Sequence, residues 1–292
     1  MKKITLSIII PAYNEQKTIE KVIKKIKKAF NKSKTEIEIL VINDASKDRT
    51  TQVAKKQKVK VISNFKNLGP GASFKKGVGI ARGKYVGLID GDDTYEPKDF
   101  PKMLKLANKY DQVIGSRKNE AGTLKVLRIP AKWLIKTLAS YLTQTKIPDL
   151  NSGFRVFNKQ VLEKYLWLLP DRFSYVSTST MSFLSNNHPT IWYQTNYYKR
   201  VGKSKFHPLK DTYNYLLTII RIIMYFNPLR IFLPLAILIF TFGLIKSFVD
   251  YFILIHRLQL SDIIIILSAV MIAILGLIAD LIVTVGKSIK KS

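Results

Sequence analysis

The 292-residue chain carries 48 Lys and Arg against 20 Asp and Glu, a formal net charge of +28, and no cysteine. The length suits one large domain or two smaller ones, and the missing cysteines exclude disulfides and thiolate-held metals. The positive excess favours anionic partners: nucleic acid, an anionic membrane surface or phosphorylated substrates.

Met1–Lys3 run directly into the apolar "ITLSIII" with no small-residue cleavage site behind a long apolar segment, so no secretory signal is expected. "TLSIIIPAY" is a continuous apolar run ended by Pro11, as expected of a strand buried on both faces. "NEQKTIEKVIKKIKKAF" then places Ile19, Val22, Ile23, Ile26 and Phe30 on one helical face and lysines elsewhere. "EIEILVIN", "VKVISN", "KYVGLI" and "DQVIGS" read as further strands. "KDRTTQVAKKQ", "GASFKKGVGIARG" and a segment around Phe100–Ala107 read as the helices between them. This alternation predicts an α/β domain with a mainly parallel sheet and right-handed crossovers. Such sheets bind ligands beyond the carboxyl ends of their strands. "PAYNE", "NDASKD", "NFKNLGPG", "DGDD" and "GSR" all fall at those ends.

Past Arg117 the pattern is less regular. "AKWLIKTLASYL" and "NKQVLEKYLWLL" read as helices, "SGFRVF" as a short strand and "TIWYQTNYYKR" as a strand. "HPLKDTYNYLLTIIRIIMYFNPLRIF" places Tyr213, Leu216, Leu217, Ile220 and Met224 at helical spacing and is broken at Asn227-Pro228, which predicts an amphipathic helix in the membrane interface. Ile231–Ile255 and Ile263–Val285 are each long and apolar enough to cross a hydrocarbon core of about 30 Å. The short link between them makes a hairpin. Arg221, Arg230 and the terminal "GKSIKKS" flank the spans, against only Arg257 in the link, so both ends and the N-terminal domain are expected in the cytoplasm. Within the spans, Lys246 and Asp250 are spaced to share a helix face as an ion pair, and Asp280 is close enough to the interface to reach water. The expected division is a catalytic domain over 1–206, a juxtamembrane helix over 207–228 and a hairpin over 229–292.

Asp90, Asp92 and Asp93 follow an apolar strand in "YVGLIDGDDTYEP". A plain Asp/Gly-rich turn would explain so short a cluster, and three chemistries compete with it. A calcium loop requires Gly at its sixth position and Glu at its twelfth, where Tyr95 and Pro101 stand. The D-x-D-x-T pattern of haloacid dehalogenase-like phosphatases requires further acids downstream, and the soluble acids beyond Asp111 are isolated. A clamp for Mg²⁺ or Mn²⁺ on a nucleotide diphosphate remains. Asp90 and Asp92 supply hard oxygen ligands, and Gly91 would let the nucleotide approach the backbone. "GPGASF" has Phe74 in place of the third glycine of a dinucleotide fingerprint. No zinc-ligand set or RNP-like motif accompanies the charge, so no nucleic acid is expected.

"PAYNE", "NDASKDRT", "NLGPG", "DGDD", "GSR", "DLNSGFRVF" and "KRVGKSKF" occur in this order, and the apolar spans follow. In this the chain resembles glycosyltransferase family 2, of GT-A fold, and within it the dolichyl-phosphate mannose synthase-like and polyprenyl-phosphate glycosyltransferases. The resemblance implies a GT-A Rossmann-like domain followed by an interfacial helix and a two-helix transmembrane hairpin. Many members carry four spans; two are read in this chain. The implied reaction is inverting, metal-dependent transfer of mannose or glucose from GDP-mannose or UDP-glucose to dolichyl or polyprenyl phosphate. The rivals are transfer to a polysaccharide acceptor and a non-catalytic nucleotide-binding scaffold. By the same resemblance Pro11, Ala12, Tyr13, Glu15 and Asp44 hold the base and ribose, and Asp90, Gly91 and Asp92 hold the metal and diphosphate. Arg117, Arg128, Ser152, Arg155, Arg200 and Lys205 face the acceptor phosphate. Asp90, Asp92, Arg117 and Arg200 carry the catalysis. The family often reads D-A-D-L-Q, so Asp93 and Thr94 leave a third protein ligand open. A homo-oligomer is compatible with the resemblance and is not specified by it.

Overall fold

The computed structural model describes residues 4–117, 137, 139–172, 174–198, 220, 224, 227–254 and 257–289. The chain divides into two compact units, Met1–Ile219 and Ile220–Ser292. The first half of the larger unit alternates strand and helix: β1 (Leu6–Ala12), α1 (Ile19–Phe30), β2 (Ile37–Asn43), α2 (Thr50–Lys56), β3 (Lys60–Ser63), α3 (Pro70–Ile80), β4 (Tyr85–Leu88), α4 (Phe100–Leu106) and β5 (Gln112–Arg117). β6 (Arg155–Asn158), α5 (Lys159–Glu163), α6 (Tyr175–Ser185) and β7 (Thr190–Thr195) complete it.

Among the described residues the strands form one seven-stranded sheet in the order β3-β2-β1-β4-β6-β5-β7. β6 is the antiparallel member, pairing with β4 and β5. The expectation of a mainly parallel sheet therefore holds, with the "GFRVF" strand inserted against the common direction. The register Ala12↔Asn43 and Asn43↔Ser63 ends β1, β2 and β3 level, so the loops after them open on one edge.

The apolar run of β1 is buried on both faces, as its continuity required. Ile8 and Ile10 pack with Ile19, Val22, Ile23, Ile26 and Phe30 of α1 and with Phe100 and Met103 of α4. Ile9 packs on the opposite face with Phe74 and Val78 of α3 and with Tyr175, Val176 and Phe183 of α6. Each fully buried Ile or Phe of this kind contributes about 1.5–3 kcal/mol. α6 was not among the expected helices. Its "STSTMS" run is disfavoured in isolated helices because the hydroxyls compete for backbone groups. It forms in the core because those hydroxyls return to carbonyls one turn earlier, Ser179 Oγ and Thr180 Oγ1 both donating to Val176 O.

The smaller unit contains α7 (Leu229–Val249), which runs on as a π-helical turn over Asp250–Leu254, and α8 (Leu260–Ile289). Leu229–Ile253 and Leu260–Val285 are long and apolar enough to span a membrane. The expected Lys246–Asp250 pair is present at 2.6 Å and is part of a larger cluster. Lys246 Nζ also bonds Ser261 Oγ at 2.9 Å and Asp262 Oδ1 at 2.5 Å, tying α7 to the start of α8. Most of the juxtamembrane helix expected over 207–228 lies outside the described residues.

Candidate active site

The loops after β1 and β2 are stitched together. Asn14, in left-handed backbone at φ 57°, donates its N–H to Ser46 Oγ and accepts from Lys47 N through its own side chain. Gln16 N donates to Asp48 Oδ2, and Arg49 N donates to Gln16 Oε1. Glu15 N donates to Thr50 Oγ1. "PAYNE" and "NDASKDRT" therefore form one surface, with Pro11 and Ala12 closing β1 and Tyr13 and Glu15 half-buried beyond it.

Asp44 is buried under this surface. Its carboxylate accepts from Asn64 Nδ2 and Leu68 N through Oδ1, at 2.8 and 2.9 Å, and from Gly69 N through Oδ2 at 2.8 Å. It thereby shapes the "NFKNLGPG" loop, where Gly69 has φ 102° and the Pro170–Asp171 backbone lies close above Gly71. Asp44→Ala would leave the N–H groups of Leu68 and Gly69 without their acceptor, costing about 2–4 kcal/mol. The expected result is a lower unfolding midpoint of the purified full chain.

Beyond β4 the three aspartates take three different roles. Asp90 is half-buried, and its carboxylate lies against Gly153: a Cβ at that position would sit 2.9 Å from Asp90 Cγ and closer still to Oδ2. Asp92 is buried, and its Oδ1 accepts from Thr94 Oγ1 at 2.6 Å and Thr94 N at 3.2 Å. Asp93 has φ 60°, a backbone state costing roughly 1–2 kcal/mol for most residues and less for aspartate. Its carboxylate turns to α1, pairing with Lys21 at 2.6 Å and Lys25 at 2.7 Å. The open part of the motif is thus assigned: Thr94 orients Asp92, and Asp93 faces lysines. A Cβ at Gly91 would point at Ile10, Ile19 and Pro11 O at 3.5–3.6 Å, an ordinary contact distance.

The 149–153 loop closes the site from the other side. Tyr95, 3 % exposed, accepts at its hydroxyl from Gly153 N at 3.0 Å and Ser152 Oγ at 3.3 Å. Burial first, and the Asp90 carboxylate in addition, push the Tyr95 phenol up against the opposing pull of Arg117, so it stays protonated at neutral pH. Arg117 grips Asp149 bidentately, Nε–Oδ2 2.7 Å and Nη2–Oδ1 2.8 Å. Burial alone would raise the Asp149 carboxyl, and the Arg117 fork outweighs it and holds it below the usual carboxylate range. The guanidinium lies 5.3 Å from the Tyr197 ring, which meets Tyr95 edge-on at 5.1 Å.

Two residues expected at the acceptor phosphate lie inside the domain. Ser152 and Arg155 are both 0 % exposed. Arg155 Nε donates to Ser152 O at 2.7 Å and Nη2 to Leu150 O at 3.0 Å, while Nη1 reaches Ser179 Oγ and Thr180 Oγ1. A side chain so enclosed holds the loop from beneath. Arg128, Arg200 and Lys205 lie outside the described residues. Tyr95, Asp149, Gly153 and Tyr197 are additions to the expected set. "DLNSGF" and the first tyrosine of "NYYKR" were the available signals.

Asp90 and Asp92 present an oxygen-only donor pair, and among the described residues no group of three His, Asp or Glu could hold a metal by itself. Such a pair suits Mg²⁺ or Mn²⁺, which completes its shell with water and substrate phosphates.

Residues 7–166, more than half of the chain, match the family model for glycosyl transferase family 2. The chain belongs to this family. Residues 227–285 match the GtrB C-terminal hairpin. A dodecaprenyl-phosphate galacturonate synthase of Rhizobium johnstonii is 24 % identical over 172 residues, covering 56 % of this chain. The match spans about half (51 %) of that synthase's own length. A protein of Methanocaldococcus jannaschii is 29 % identical over 197 residues, 64 % of this chain and 78 % of its own. Glucosyl-3-phosphoglycerate synthase from Mycobacterium tuberculosis, solved with Mn²⁺, uridine diphosphate and phosphoglyceric acid, shares the fold with TM-score 0.60 at 18 % identity. The match covers 75 % of this chain and 78 % of that one. This family 2 glycosyltransferase therefore combines a GT-A-type sheet domain with a hairpin of two apolar helices.

Proposed function

We propose that the protein transfers a hexose from a nucleotide sugar to the phosphate of a polyprenyl or dolichyl lipid, with inversion at the anomeric carbon, GDP-mannose being the favoured donor and UDP-glucose the next. The observation that carries this reading is the presence, in one chain, of the Asp90/Asp92 pair at the ligand-binding edge of the sheet and of the hairpin matched by the GtrB model. The likeness to a dodecaprenyl-phosphate galacturonate synthase supports it.

In this mechanism the joined loops after β1 and β2 hold the base and ribose, with Asp44 fixing their floor. Asp90 and Asp92 would hold Mg²⁺ or Mn²⁺, which when bound would supply charge neutralisation for the nucleoside diphosphate. The lipid phosphate is already an anion near neutral pH, so the protein need not deprotonate a nucleophile. The protonated Tyr95 fits this, serving as a fixed strut between the Asp90 loop and Gly153. Arg117, Arg128, Arg200 and Lys205 gather around the acceptor phosphate, and catalysis comes mainly from positioning and charge placement. The hairpin holds the enzyme where its lipid substrate lies, and its flanking positive charges put the catalytic domain and both termini in the cytoplasm.

The test is incubation of membranes containing the protein with polyprenyl phosphate, Mn²⁺ and a panel of GDP- and UDP-sugars, followed by extraction of lipid-linked sugar. Formation of a hexosyl-phospholipid with one donor is the expected result. Transfer only to polysaccharide, or turnover with no donor, would overturn the reading.

A further inference from the structure

The third aspartate of "DGDD" departs from the family pattern, and the structure gives it a definite set of partners. Asp93 is 8 % exposed and lies between two lysines of α1, one on each carboxylate oxygen: Lys21 on Oδ2 at 2.6 Å and Lys25 on Oδ1 at 2.7 Å. Its φ of 60° turns the chain so that this side chain leaves toward α1. Thr94 follows at once and fixes Asp92 Oδ1 by two hydrogen bonds. Thr94 O in turn accepts from Tyr198 N at 2.8 Å, and Lys25 Nζ stands 5.9 Å from the Tyr198 ring. Lys25 thus stands between the Asp93 carboxylate and the Tyr198 ring, and Tyr198 N holds the carbonyl of Thr94 beside Asp92.

We infer that Lys21 and Lys25 are positioning residues of the metal clamp, acting through Asp93 to set where Asp92 points and to keep the third carboxylate turned away from the cation. Without them Asp93 would be an uncompensated, nearly buried carboxylate beside Asp92, repelling it and free to swing toward the cation. Groups that orient ligating carboxylates in this way typically change metal affinity by about 10- to 100-fold when removed. Lys24 on the same helix pairs with Glu20 at 2.7 Å and does not touch Asp93. It serves as a control for the general positive field here, where Lys17 and, on α1, Lys21, Lys24, Lys25 and Lys28 line a shared groove with Glu20.

The inference rests on the proposed metal-dependent transfer but is tested apart from it, by direct Mn²⁺ binding to the purified full chain with a nucleoside diphosphate present. The readout is the electron paramagnetic resonance signal of free Mn²⁺. The Lys21→Ala/Lys25→Ala double variant is expected to bind Mn²⁺ about 10- to 100-fold more weakly, and Lys24→Ala to bind as the wild type does. Asp93→Gly, which keeps the left-handed backbone accessible and removes the anchor without leaving an unpaired carboxylate, is expected to weaken Mn²⁺ binding by less than the double variant does. Lys25→Arg in the Lys21→Ala background is expected to restore part of the affinity. Unchanged Mn²⁺ affinity in the double variant would overturn the inference, as would an equal loss in Lys24→Ala. Failure of the wild type to bind Mn²⁺ at all would overturn both the inference and the metal-dependent transfer. Binding without transfer to lipid would leave the inference standing and remove only the acceptor assignment.

Discussion

Gly153→Ala is expected to lower sugar transfer about 100- to 1,000-fold while the sheet domain keeps its fold, a loss comparable to removing one transition-state charge stabiliser. Gly153 has no positive φ to satisfy, so alanine meets no backbone penalty of that kind. The added methyl would instead sit 3.0 Å from Asp90 Oδ1, 2.9 Å from its Cγ and closer to Oδ2, and the carboxylate must move. Gly153 N is also fixed to the Tyr95 hydroxyl, so the loop has little room to yield. Initial rates at saturating Mn²⁺, with the melting temperature as the fold control, measure the effect. Wild-type rates in Gly153→Ala would show that Asp90 does not act from the position described.

Arg155→Met is expected to act on stability. The side chain is fully buried, and Met fills much of its volume, so the cavity contribution is small. Leu150 O and Ser152 O lose their donors in the core, at about 1–3 kcal/mol each. The Ser179 and Thr180 hydroxyls are spared because they also donate to Val176 O. The sum is about 2–6 kcal/mol. For a unit of this size each kcal/mol lowers the melting temperature by roughly 2–4 °C. The detergent-solubilised full chain should therefore melt several degrees earlier, and should lose transfer in proportion as the loop under Asp90 loosens. A melting temperature within about 2 °C of wild type would show that the two carbonyls find other donors.

The residues differ in how readily their roles could be read from the sequence. The β1 run "LSIIIPA" announces a strand covered on both faces, and the periodicity of Ile19, Val22, Ile23, Ile26 and Phe30 announces which face of α1 covers it. These signals are local, and the parallel order of β1, β2, β3 and β4 follows from their alternation with helices. α6 was hidden because a Ser/Thr run carries the propensity of a loop, and only the enclosing core makes the helix the better choice. The Asp90–Gly153 contact, the Arg117–Asp149 fork and the Asp93 bond to two α1 lysines join residues far apart in sequence, and no spacing rule links them. Arg155 shows the reverse case: an arginine in "SGFRVF" reads as a phosphate ligand by residue type, and its full burial is invisible in the sequence. The hairpin was legible at once, since apolar length is the whole signal. The cross-helix bonds of Lys246 to Ser261 and Asp262 were not, because they depend on how the two helices align.

The most direct test of the account is transfer of labelled hexose to polyprenyl phosphate by Asp92→Ala and wild type, measured side al side across a Mn²⁺ titration. The account predicts that wild type forms lipid-linked hexose in a Mn²⁺-dependent manner and that Asp92→Ala forms at least about 1,000-fold less, since it loses one of the two carboxylates that hold the cation. Wild-type rates in Asp92→Ala, or transfer by wild type that is indifferent to chelation of divalent cations, would contradict it.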